Sequence, residues 1–225
     1  MDQRRYLQIP RVRKLRCSVL CGWHRKEAAE YDAGQRIERM RMEVSRKRFT
    51  VEDYYRMSNA GILAPGDRVE LIDGEIIQMS PIGTRHLGCV NATNAVFFDA
   101  FKGRAVISGQ NPVQLSDFTE PQPDIVLLKV RSDFYRGKHP EAADVLLVVE
   151  VSDTTLAYDR DVKLSYYAAA GVPEVWIEDL NSDRILVYRN PFGGIYEVHL
   201  TLSRNDSISV QAFPDTAFAV SDFIG

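Results

Sequence analysis

Two carboxylates and a lysine stand out because their surroundings are wrong for them. Asp124 follows Pro123 and opens the apolar run "IVLL". Glu150 interrupts "VLLVVEV", an otherwise wholly apolar stretch. A buried carboxylate costs free energy unless a partner offsets its desolvation. In a strand the side chains alternate, so Leu146, Val148 and Glu150 are expected on one face. If the two strands are neighbours, Asp124 and Glu150 converge on one sheet edge. Two close carboxylates repel, and one would stay protonated. A shared divalent cation removes that conflict. Hard oxygen ligands without His or Cys nearby suit Mg2+ or Mn2+ rather than zinc.

Lys163 follows in "DRDVKLSYY". A strand-loop-helix return can bring its ammonium over the end of the Glu150 strand, where it would orient a water or neutralise a phosphate oxygen. Glu75, directly after the Asp73-Gly74 turn, is a fourth candidate, and His86 a fifth. Each residue also has an ordinary reading. Asp124 can be a strand-entry residue after proline, Lys163 a solvated helix residue, Glu75 a hairpin residue and His86 a capping or packing residue. The chemical reading rests on the combination.

The elements that must position these groups are legible in outline. Thr50 and Asp53 give a helix-start signal close to a capping box, and Gly61 ends that helix. "RVELIDGEIIQMS" reads as a hairpin around Asp73-Gly74. "TRHLGCVNATNAVFFDAF" reads as a helix with Leu87, Val90, Ala95 and Phe98 on its apolar face. "RAVISGQNPVQL" is a strand, a break and a short second strand. "PQPDIVLLKV" and "DVLLVVEV" are strands buried on both faces. "DRDVKLSYYAAAG" is a helix with acidic residues in its first turn. "EVWIEDL" and "RILVYRN" are further strands, followed by another short strand and an irregular tail. The expected fold is α/β (α+β mixed), with a mixed sheet flanked by helices. Glycine-rich phosphate loops are absent, which removes the main support for nucleotide binding.

The chain has 225 residues and a formal net charge of −3. Residues 1–48 carry 14 Lys+Arg against 6 Asp+Glu, and the remainder 14 against 25. The basic segment 1–47 reads as a leader before a domain over 48–225: a poorly ordered extension, or a consequence of translation starting at Met40 or Met42, in preference to a nucleic-acid-binding arm. Cys17, Cys21 and His24 form half of a zinc pattern with no second half. No apolar run suffices to span a bilayer, so the expected protein is soluble and cytoplasmic. The basic loop "KVRSDFYRGKH" is read as an ordinary solvated loop in preference to a phosphate-contacting border of the site.

These residues resemble a known pattern. Pro123-Asp124 with Glu150 in a buried strand is similar to the PD-(D/E)XK nuclease superfamily. More closely, "RVELIDGEIIQMSPIGTRH", "PQPDIVLL", "VLLVVEVSDTTLAYDRDVKLSYYAAAGVPEVWIEDL" and "ILVYRNP" resemble the Uma-two family of restriction-endonuclease-like proteins. The resemblance runs from about Arg48 to the C-terminus. It implies a restriction-endonuclease-like core and magnesium-dependent cleavage of DNA phosphodiesters, with Asp124 and Glu150 as metal ligands. The motif lysine is expected two residues after the glutamate, where this chain has Ser152. By resemblance Lys163 stands in for it, and Glu75 is the upstream acidic residue. A homodimer is expected only by analogy with other nucleases. The contrasting expectation is a non-catalytic interaction or regulatory protein on a nuclease scaffold. The acidity of the domain speaks against a nucleic-acid partner.

Overall fold

The computed structural model describes residues 45–64 and 66–224. The leader, with Cys17, Cys21, His24, Met40 and Met42, lies outside the described residues.

The chain enters through α1 (Val51–Asn59), whose N-terminus is closed by the reciprocal Thr50–Asp53 capping box. Gly61 follows with φ +73°, in the left-handed region that lets a chain leave a helix. Strands β1 (Val69–Ile72) and β2 (Glu75–Gln78) pair antiparallel, with Ile72 opposite Glu75. Asp73 and Gly74 both have positive φ, as a two-residue type I′ turn requires. A Cβ on Gly74 would lie 2.6 Å from the Arg48 Cβ, so this position needs glycine for space as well.

Next comes α2 (Thr84–Phe101). It buries Cys89, Val90, Thr93, Phe97 and Phe101, whereas Leu87 and Phe98 are exposed. The expected apolar face is therefore rotated. Phe97 and Phe101, four residues apart, meet each other and an aromatic cluster containing Trp176, Phe218 and Phe223. That large shared surface sets the helix roll.

The main sheet has six strands in the order β3 (Val106–Gly109), β4 (Ile125–Leu128), β5 (Val145–Ser152), β6 (Glu174–Asp179), β7 (Arg184–Phe192) and β8 (Ile195–Ser203). Every neighbouring pair is antiparallel except β5 and β6. A parallel pair needs a crossover. Here it consists of a single turn, α3 (Leu156–Tyr158), a π-helical turn over Asp159–Lys163, and α4 (Leu164–Ala169). The sequence predicts one regular helix over this stretch, so the wide turn is a departure. The expected short strand near Val113 to Leu115 forms only an isolated bridge, Gln114 to Glu141. The tail is more regular than expected: β9 (Ser207–Ser209) pairs with β10 (Ala217–Ala219), and α5 (Ser221–Ile224) closes it.

Both faces of the sheet are covered, which explains the continuous apolar runs of β4 and β5. Ile125, Leu127, Leu147, Val149 and Val151 join the core that contains Phe97, Trp176 and Phe223. Val126, Leu128, Val148 and Ile177 join the core that contains Tyr167 of α4. Leu127 pairs with Leu147 but Leu128 pairs with Val145, leaving Leu146 unpaired. This bulge puts Leu146 against the first core while Val148 lies in the second, so the expected common face of Leu146, Val148 and Glu150 holds only beyond the bulge.

Candidate active site

The site forms where β4 begins and β5 ends. Ile125 is opposite Val149, so one position further along the same register Asp124 is opposite Glu150. The Asp124 Oδ2 accepts the Val151 N–H at 2.9 Å and lies 3.1 Å from His86 Nε2. Burial opposes the Asp124 charge, but the His86 hydrogen bond and charge, the Val151 N–H and Lys163 outweigh it and hold the carboxyl below the usual range. The same bond raises the His86 imidazole, with burial opposing. His86, in the first turn of α2, is thus brought to the site, and its buried Nδ1 has no partner among the described residues.

Glu150 faces α4. Its Oε1 accepts the Tyr167 hydroxyl at 2.6 Å and lies 2.8 Å from Lys163 Nζ. Burial pushes Glu150 up to about 8; Lys163 opposes this, and the charges of Asp159 and Asp124 add to it. Lys163 is 4% exposed and also reaches Glu70 Oε2 at 3.2 Å. Burial alone would lower the lysine, but Glu150, Glu70 and Asp159 reverse that and hold it above its ordinary value. The ammonium is therefore a fixed cation and a poor proton acceptor.

Glu70 is the residue that sequence reasoning missed. It lies on β1, cross-strand from Ile77. Its Oε2 also accepts the Gln122 N–H at 3.1 Å, and its Oε1 accepts the Tyr158 hydroxyl at 3.2 Å. The signal was present: a carboxylate inside "VELI" is as misplaced as one inside "VVEV". Glu75, chosen instead, is exposed beside the hairpin turn, pairs with Arg46 at 3.0 Å and does not line the site.

Ser152, in the motif-lysine position, donates to Asp159 Oδ2 at 2.7 Å, and Thr155 donates to the same oxygen at 2.6 Å. Asp159 opens the π-helical turn and Lys163 closes it. A π turn widens the helix and recurs at functional sites. Here one wide turn delivers Asp159 to Ser152 and Lys163 to Glu150.

These groups line a pocket of about 610 Å3. Its lining includes Glu70, Ile77 and the segment Met79–Gly83 from the hairpin side, and Asp153–Thr155 and Ala157–Asp159 from the chain after β5. The basic loop lies elsewhere. It follows Leu128, at the opposite end of β4 from Asp124. Arg131 pairs with Asp133, Lys138 with Glu141, and Lys129 donates to the Ala143 carbonyl.

Asp124 Oδ1 meets only Gln110 Nε2, at 3.4 Å, and Glu150 Oε2 has no hydrogen-bond donor among the described residues. One oxygen of each carboxylate is thus left for a further ligand. No group of three or more His, Cys, Asp or Glu side chains among the described residues is arranged to hold a metal ion alone.

The architecture is thus a six-stranded mixed sheet between helices, with the pocket at the start of β4 and the end of β5. The chain is similar in fold to a crystal structure from Anabaena variabilis ATCC 29413, described as a "putative nuclease belonging to DUF820". The TM-score is 0.60 and the identity 15%, over 78% of this chain and 97% of that one. The model of the Uma2 family, described as "Putative restriction endonuclease", matches residues 51–221, and the chain belongs to that family. No curated protein matches it in sequence. Among the described residues, no helix is long and apolar enough to cross a membrane.

Proposed function

We propose that the domain hydrolyses DNA phosphodiester bonds with a divalent cation, magnesium or manganese, held by Asp124 and Glu150. The observation that carries this reading is the Lys163 ammonium, 2.8 Å from Glu150, on a pocket whose wall also holds Asp124. The donor set fits the cation. Magnesium is commonly bound by one or two carboxylates, with water and substrate phosphate completing the shell, and Asp124 Oδ1 and Glu150 Oε2 are oxygens of that kind. When bound, the cation supplies charge stabilisation at the phosphate and a more acidic water.

The chain's own residues do the rest. His86 and the Val151 N–H fix the Asp124 carboxylate. Tyr167 and Lys163 fix Glu150. Lys163 keeps its proton, so it offsets charge developing on the phosphoryl oxygens and orients the attacking water. The water oxygen bonds to phosphorus as the bond to one sugar oxygen breaks. The water's proton passes to solvent and the leaving oxygen takes one up. In this reading Lys163 serves the role that the PD-(D/E)XK pattern gives to the lysine at Ser152, and Glu70 serves as the upstream acidic residue in place of Glu75.

The test is incubation of the purified chain with plasmid and single-stranded DNA in magnesium, manganese or EDTA. Cleavage that requires the cation and is lost in Asp124→Ala and Glu150→Ala is expected. Cleavage surviving both substitutions would refute the site. A second reading, a non-catalytic scaffold, is favoured by the excess of acidic residues after residue 48. It predicts no cleavage and no metal binding under any of these conditions.

A further inference from the structure

The pocket bears on which nucleic acid the site takes, and this inference rests on the nuclease reading above. A surface that follows a duplex neutralises several phosphates with Lys and Arg. Near the hairpin and the start of α2, the exposed arginines are engaged in ion pairs. Arg46, Arg48 and Arg85 are each paired, with Glu75, Asp73 and Asp183. The basic loop is at the far end of β4, where Arg131 and Lys138 are paired.

The pocket is lined by Glu70, Asp124, Glu150, Asp153 and Asp159 against Arg68 and Lys163. Arg68 lines it, is held by donation from Nη1 to the Ser80 carbonyl at 3.0 Å, and makes no ion pair among the described residues. With Lys163 it gives two fixed cations, enough for one phosphate rather than a run of them. Beside them is an apolar wall: Ile77, Met79, Pro81, Ile82 and the Tyr158 side chain. Ile82 is exposed. A cavity of about 610 Å3 is in the range of small-molecule sites.

We propose that the site takes an unpaired nucleotide. Arg68 and Lys163 receive its phosphodiester, and the adjoining base lies against the Ile77–Met79–Pro81–Ile82–Tyr158 wall. The substrate class is then single-stranded nucleic acid or a single-stranded end. A base stacked in a continuous duplex does not reach this wall unless it is extruded.

The experiment measures fluorescence anisotropy of a labelled short oligonucleotide, alone and annealed to its complement, with the full-length Glu150→Gln chain. The same oligonucleotides are offered to the wild type with magnesium or manganese. Single-strand binding about tenfold tighter than duplex binding is expected, in line with the gain from one stacked base. Ile82→Asp, at an exposed position, should remove most of that preference with unchanged thermal unfolding, and Arg68→Met should weaken binding of both forms. Equal or tighter duplex binding, or no binding of either form, overturns the inference. Equal cleavage of both forms overturns it too, while leaving the nuclease reading intact. Single-strand preference in binding without cleavage by the wild type upholds the inference and removes the nuclease reading.

Discussion

Lys163 Nζ lies 2.8 Å from Glu150 Oε1, although the two residues come from different elements and a π-helical turn separates them in the chain. In the proposed reading Lys163, from the next element, takes the place of the lysine that the motif puts two residues after the glutamate. Lys163→Met should lower the cleavage rate by about 10² to 10³, the usual effect of removing one charge-stabilising group. It should also destabilise the fold by about 3–5 kcal/mol, because Glu150 and Glu70 lose their buried counter-charge. Denaturant unfolding and single-turnover kinetics measure the two effects. Adding Ser152→Lys to that variant should recover about tenfold in rate if the position of the charge is what matters. No recovery in a folded double variant argues against equivalence of the two positions.

Glu70 and Glu75 should behave oppositely. Glu70 is buried, bonded to Lys163, Gln122 and Tyr158, whereas Glu75 makes one exposed ion pair with Arg46. Glu75→Ala should change stability by no more than about 0.5 kcal/mol and leave cleavage intact. Glu70→Ala should abolish most activity. A Glu75 variant that loses activity would return that residue to the site.

His86 touches Asp124 rather than the open carboxylate oxygens. His86→Ala should weaken manganese binding by about 10- to 100-fold, as expected for removing a group that orients a ligand. Asp124→Asn should weaken it further. Titration of manganese by electron paramagnetic resonance separates the two cases, and equal losses would mean that His86 does more than orient.

Glu178 of β6 gives a pH signature away from the site. It is fully buried, accepts the Thr93 hydroxyl at 2.8 Å, and its Oε2 has no partner among the described residues. Burial pushes it from its ordinary 4.5 up to about 8, with Thr93 opposing and Asp124 adding to the rise. Between those values the folded state keeps a proton that the unfolded state has released, so stability falls as pH rises. The penalty is absent below about 4.5 and complete above about 8. Glu178→Gln keeps the Thr93 bond and should gain on the wild type steadily across that window. A constant difference between the two unfolding curves would mean that Glu178 ionises normally.

The sequence alone determined most of the sheet's strands, the capped first helix, the Asp73-Gly74 turn and the misplaced charges of Asp124 and Glu150, because each is a local matter of alternation, side-chain capping or the cost of a charge in an apolar run. Glu70 was open to the same argument. Only the tertiary structure decided the rest. Which acidic residue of "ELIDGE" faces the pocket depends on where the hairpin packs: Glu70 meets Lys163, and Glu75, past the turn, meets Arg46. The roll of α2 followed from Phe97 and Phe101 finding an aromatic cluster assembled from distant segments. The wide turn from Asp159 to Lys163 is tied at one end by Ser152 and at the other by Glu150. Local helix propensity contains neither contact, so it predicts a regular helix where long-range bonds to β5 accompany a π turn.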